Sequence, residues 1–210
     1  MTLIGFKIAN ETIEWSTVRE LWKLADESDE FDIGWNFDHV LPIRAALDEP
    51  CLEGWTMLAA LAEATDRVRL GCMVGATSYR NPALLAKMAA MIDIASDGRL
   101  ELGLGAGWHT AEAHTYDLHL PEKLGDRFDL FDEAMQIILS LMTNDRTTFE
   151  GEHFTIRDAP FEPKGPQTPP PVTIGGSGPK RTLRAVARYA DWWNTPFFDP
   201  DSYGVSAAIL

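Results

Sequence analysis

Short apolar runs of β-prone residues alternate along this chain with longer amphipathic runs. Leu3 to Ala9 is the first of the short runs. Ser16 to Ser28 follows, with Val18, Leu21, Trp22 and the Leu24-Ala25 pair at helical spacing. Ser16 or Thr17, with Glu20 downstream, is expected to cap that helix. The pattern then repeats: Phe31 to Val40 predicts a second strand, Gly54 to Ala64 a second helix and Val68 to Ala76 a third strand. Asn81-Pro82 opens a helix running from Ala83 to about Ala95, where proline suits the first turn. The Asp97-Gly98 turn leads into a fourth strand, Arg99 to Gly105.

Alternation at roughly 30-residue spacing marks βαβ units, and right-handed crossovers then align the strands parallel in one sheet. After Gly107 the rhythm loosens. Arg127 to Met142 predicts a helix with Phe128, Phe131, Ala134, Met135, Ile138 and Leu139 on one face, and Thr147–Glu150 with His153–Ile156 predicts a small hairpin around Gly151. The proline-rich stretch from Ala159 to Pro171 lacks backbone donors and must be an extended connector. Residues 109–171 therefore read as an insertion within a single domain spanning 1–210. Pro171 to Ile174 resumes the strands, Pro179 to Tyr189 is the next helix, Ala190 to Asn194 the next strand, and Asp199 to Leu210 begins a helix-like segment. The expected class is α/β, with about six parallel strands.

Composition narrows the partners. Hydrophobic residues are 45% and charged residues 24%, ordinary for a chain that builds a core. A net charge of −14 disfavours phosphate backbones and anionic lipid, so neither nucleic acid nor membrane is an expected partner. The only cysteines are Cys51 and Cys72, too few for a disulfide framework and fitting a reducing compartment. No apolar run reaches the roughly 20 residues that cross a bilayer. No basic segment precedes Leu3–Ile8, and the expected location is cytoplasmic.

Ligands of parallel α/β folds sit at the C-terminal strand ends. The second strand ends in Phe37-Asp38-His39, where His39 could move a proton with Asp38 beside it, or both could be structural. Position at the strand end favours the first. Gly103-Leu104-Gly105-Ala106-Gly107-Trp108 closes the fourth strand with glycines that let backbone approach a flat or anionic ligand, but it lacks the dinucleotide fingerprint. Gly175-Gly176-Ser177-Gly178, between a strand and the helix expected at Pro179, offers successive N–H groups as an anion nest. His109, Glu112 and His114 fall close together, but their spacing matches no metal motif and no metal is expected. Most tryptophans read as core, whereas Trp35 and Trp108 lie near strand ends where they could line a ring-shaped cofactor.

With these motifs in order, the chain resembles the bacterial luciferase-like monooxygenase family and its deazaflavin-dependent oxidoreductases. The likeness runs from Ile4 to about Asn194 and rests on Phe37-Asp38-His39, Arg69 to Val74, Tyr79 to Lys87, Asp97 to Trp108, Phe149-Glu150-Gly151 and Gly175 to Gly178. It implies a TIM-like barrel with coenzyme F420, or alternatively FMN, across the C-terminal mouth. Carried onto this chain, His39 would handle the proton and Asp38 would contact the ring end. Met73-Val74 would form a bulge with a non-prolyl cis peptide against the ring. Gly105, Ala106, Gly107 and Trp108 would flank it, and Gly175, Gly176, Ser177 and Gly178 would hold the phosphate. Sugar-phosphate dehydrogenases of the family carry a catalytic carboxylate where this chain has Trp108, which argues against that substrate. The implied activity is hydride exchange between F420 and a small organic substrate. An FMN monooxygenase, or an inactive truncated barrel acting as a cofactor-binding or subunit-interaction module, are the alternatives. Since such barrels have about eight strands, the expected barrel is incomplete at its C-terminal part. Its open sheet edges are expected to be covered in a homo-oligomer.

Overall fold

The computed structural model describes residues 2–195 and 199–210. In chain order its elements are β1 (Gly5–Lys7), α1 (Trp15–Asp26), β2 (Ile33–Asn36), α2 (Gly54–Ala64), β3 (Arg69–Cys72), β4 (Gly75–Ala76), α3 (Pro82–Ala95) and β5 (Leu100–Gly105). Then follow α4 (Thr110–Thr115), α5 (Leu124–Thr143), β6 (Arg146–Glu150), β7 (Thr155–Pro160), β8 (Val172–Gly175), α6 (Thr182–Tyr189), β9 (Trp192–Asn194) and α7 (Pro200–Ala207). The main strands pair in parallel in the order β1-β2-β3-β5-β8-β9, with β4 beside β5. This is the expected α/β architecture, a half-barrel whose edges are β1 and β9.

Strand alternation sorts the side chains. Leu70 and Cys72 of β3, Leu100, Leu102 and Leu104 of β5, and Val172 and Ile174 of β8 are all buried in the core shared with the helices. Trp22, Trp55, Leu58, Leu61, Leu85, Phe131 and Ile138 meet them from the helix side. The intervening residues face the barrel interior, and there close packing dictates glycine. A Cβ on Gly71 would lie 2.6 Å from the Trp35 ring, and one on Gly103 only 1.7 Å from the Cys72 carbonyl oxygen.

Several boundaries differ from the sequence expectation for physical reasons. Neither Ser16 nor Thr17 caps α1; its N-cap is Glu14, with no side-chain hydrogen bond. By contrast Asn81 caps α3, accepting from Ala83 N–H, with Pro82 in the first turn. The third strand is split into β3 and β4, and the Met73–Val74 peptide between them is cis. Within 109–171, α5 packs beside α3 and buries Leu130, Phe131, Met135 and Ile138. It is thus the crossover helix between β5 and β8, and the true excursion is the antiparallel β6–β7 hairpin with the connector behind it. Trp22 and Trp55 are buried as expected; of the two set apart near strand ends, Trp35 is buried and Trp108 exposed, and Trp192, read as core, is exposed.

Candidate functional site

The end of β2 sends His39 toward α4, where its Nδ1 lies 2.7 Å from Glu112 Oε1. Glu112 is fully buried. Its Oε1 also accepts from the Tyr79 hydroxyl at 2.8 Å, and its Oε2 from the N–H groups of Val40 and Leu41 at 3.0 and 3.4 Å. Burial opposes ionisation of Glu112, but the hydrogen bond and charge of His39, with Tyr79 and the Val40 N–H, outweigh it and hold the carboxyl below the usual range. Burial first, and Glu112 second, push the Tyr79 phenol up, so it stays a donor. Phe37, Trp108 and His109 surround the His39 ring edge-on at 5.1, 5.4 and 5.5 Å between centroids.

The structure regroups the residues first considered for a metal. His114 is exposed on α4, away from the cluster, and His39 takes its place beside His109 and Glu112. One ligand-type atom from each of these three lies within 4.8 Å of the others. The carboxylate is already engaged with His39, Tyr79 and the Val40 and Leu41 N–H groups, an arrangement that fits a hydrogen-bonded cluster.

Asp38 is placed differently from the expected ring contact. Its carboxylate receives Arg80 Nη1 at 2.7 Å, Arg80 Nη2 at 2.8 Å and the Ala76 N–H at 3.0 Å. Arg80 also reaches Glu53 at 2.6 Å, and Glu53 caps α2. Burial costs the guanidinium, yet Asp38 and Glu53 raise its pKa above the ordinary value. Asp38 therefore ties the end of β2 to β4 and to the segment leading into α3.

At the third strand the cis Met73–Val74 peptide matches what the resemblance implied. The Met73 N–H donates to Asn36 at 2.9 Å, and the Met73 carbonyl accepts from Lys7 Nζ at 3.1 Å. Val74 then fills the space in front of two further strand ends. A Cβ on Gly105 or on Gly175 would each lie 2.8 Å from Val74 Cγ2. Met73, Val74, Gly105 and Gly175 thus converge at one mouth. Beyond Gly105, Ala106 is half-buried, Gly107 takes φ +79, and Trp108 is 62% exposed beside His39.

The glycine loop is pinned to β9: the Gly176 N–H donates to Asn194 at 2.9 Å, and its carbonyl accepts from Trp193 Nε1 at 2.7 Å. Gly176 has φ +115, a conformation suited to glycine. The helix expected at Pro179 begins only at Thr182, so any anion would meet the loop rather than the helix's first turn. The N–H groups of Ser177 and Gly178 make no backbone hydrogen bond among the described residues. Between β1 and β9 opens a cavity of about 540 Å³ lined by Lys7, Trp35, Met73, Thr173, Trp193 and Asn194. The Thr173 hydroxyl there is buried and unpartnered.

Sequence reasoning assigned no role to Lys7, Tyr79, Arg80 or Glu112. Tyr79 and Arg80 belong to one of the quoted motifs, but their partners lie 27 to 42 positions away. Lys7, on β1, donates to the Met73 carbonyl and lines the cavity.

The sequence is 32% identical over 194 residues to an F420-dependent glucose-6-phosphate dehydrogenase of Amycolatopsis mediterranei (strain U-32), covering 90% of this chain and 55% of that protein. It is 34% identical over 142 residues to the pyrimidine monooxygenase RutA of Allorhizobium ampelinum (strain ATCC BAA-846 / DSM 112012 / S4), covering 67% of this chain and 38% of the other. An F420-dependent secondary alcohol dehydrogenase, solved with an F420-acetone adduct, superposes with a TM-score of 0.83 at 26% identity, over 92% of this chain and 58% of that one. The chain thus spans about half the length of the curated relatives it matches. The profile of the luciferase-like monooxygenases matches residues 2–209, and the chain belongs to the luciferase-like monooxygenase family.

Proposed function

We propose that this chain carries the cofactor-binding half of an oxidoreductase that exchanges hydride between coenzyme F420 and a small organic substrate bearing a carbonyl, an alcohol or an activated double bond. The observation that carries the reading is the convergence of Gly105 and Gly175 on Val74, a mouth whose strand ends have no room for side chains of their own. When bound, the deazaflavin would supply the hydride chemistry. Met73, Val74, Gly105, Ala106, Gly107 and Trp108 would flank its ring, and Gly175, Gly176, Ser177 and Gly178 would hold its phosphate. Gly105 and Gly175 are close-packed against Val74, where a Cβ on either would come within 2.8 Å of its Cγ2, and the loop N–H groups of Ser177 and Gly178 make no backbone hydrogen bond among the described residues. His39 moves the proton, and Asp38 supports it by fixing the strand end through Arg80.

Support for F420 comes from the F420-dependent relatives, and for a carbonyl or alcohol substrate from the alcohol dehydrogenase. Trp108 in place of a carboxylate disfavours a sugar phosphate. The 34% identity to a pyrimidine monooxygenase favours, as a second reading, FMN on the same residues. In either reading a second copy of the chain covers the β1 and β9 edges. The proposed partner is a small molecule and the proposed setting cytoplasmic; no described helix is long and apolar enough to cross a membrane. The test is His39→Ala: cofactor binding should persist while turnover falls by about 10²–10⁴. Unchanged turnover would remove His39 from the reaction.

A further inference from the structure

The proton-carrying role of His39 requires a particular ring nitrogen to be free, and the surrounding hydrogen bonds decide which. We propose that Glu112 is a positioning residue that fixes His39 as the Nδ1–H tautomer, so that Nε2 is the atom left to accept and return a proton. This deepens the reading of His39 given above and rests on it.

An ionised carboxylate only accepts hydrogen bonds. Buried Glu112 accepts from the Tyr79 hydroxyl and from the Val40 and Leu41 N–H groups, and its Oε1 faces His39 Nδ1 at 2.7 Å, so in the neutral ring that nitrogen must carry the hydrogen. The carboxylate cannot turn away easily. Tyr79 donates to the same oxygen, and the N–H groups of Val40 and Leu41 hold the other. Val40 and Leu41 directly follow His39, so Glu112 grips the ring and its own loop together. A partner on the second ring nitrogen is the usual means by which a histidine's tautomer is set. His109 shows the opposite arrangement, its Nδ1 accepting from the Glu112 N–H at 3.4 Å, which calls for Nε2–H. Neighbouring histidines therefore carry their hydrogens on different nitrogens.

Replacing the carboxylate by an amide makes the assignment testable. In Glu112→Gln the amide oxygen must stay on the Val40 and Leu41 N–H groups, which places the NH₂ against His39 Nδ1. That nitrogen must then accept, and His39 flips to Nε2–H. The measurement is ¹⁵N–¹H correlation NMR of histidine-labelled protein at mildly alkaline pH without cofactor, with the His39 signals assigned by their loss in His39→Asn. Expected are an Nδ1–H signature for His39 in the native chain, its loss in Glu112→Gln, and its retention in Tyr79→Phe, which keeps the carboxylate. His39 found as Nε2–H in the native chain, or unchanged in a folded Glu112→Gln, would overturn the proposal. Should Glu112→Gln fail to fold, the native and Tyr79→Phe spectra still decide it. Because no cofactor is present, failure here leaves the F420 reading untouched, and failure of F420 to bind leaves the tautomer assignment standing.

Discussion

Arg80 closes on Asp38 with both terminal nitrogens, at 2.7 and 2.8 Å, and this fork joins the end of β2 to the start of α3. Burial already pushes the Asp38 carboxyl above its ordinary range, and removing Arg80 takes away the charge and hydrogen bonds that oppose that shift. Arg80→Met should therefore cost about 3–5 kcal/mol in urea unfolding. A loss below about 1 kcal/mol, the scale of an exposed pair, would show that the fork is dispensable.

Val74 and the two glycines make a second prediction. Gly105→Ala would place a methyl 2.8 Å from Val74 Cγ2, and such overpacking costs about 1–3 kcal/mol. Cofactor affinity should fall with it. Adding Val74→Ala removes the clash, so the double variant should recover much of the stability, a coupling that thermal unfolding of all four proteins in the cycle would measure.

Acid should weaken the fold through Glu112. Its folded pKa lies below the ordinary 4.5, so the unfolded chain binds the proton more readily. The stabilisation is therefore full above about 4.5 and is lost as pH falls through the folded value. Glu112→Gln should be less stable than the native chain at neutral pH, and the two stability curves should converge as pH falls. Parallel curves would contradict the assignment.

The cysteines should differ in alkylation. Burial, with Glu11 and Glu112 nearby, raises the Cys51 thiol to about 11. Its reaction with iodoacetamide should be slow at neutral pH and rise with an apparent pKa near that value. Cys72 is fully buried and should react only on unfolding.

The parallel α/β order, the core faces and the glycine-bearing strand ends could be read from the chain because each is set by local periodicity or by residues adjacent in sequence. Gly54–Ala64 appears as a helix with its expected bounds. What could not be read was long-range pairing. Glu112 sits 73 positions from His39, and nothing in Thr110-Ala111-Glu112-Ala113 marks it as that ring's partner. The resemblance implies a ring contact for Asp38, whereas the fold shows its carboxylate engaged by Arg80 and the Ala76 N–H. α5 read as part of an insertion because the loop before it hid the crossover that its packing on α3 makes plain.

The central claim, that this mouth takes a deazaflavin, is tested most directly by native mass spectrometry of the purified chain mixed with equimolar F420 and FMN. One F420 per chain, lost in Gly105→Ala, is the expected result, with the number of chains per particle read from the same spectrum. Occupancy by FMN instead, or by neither cofactor, would contradict the account.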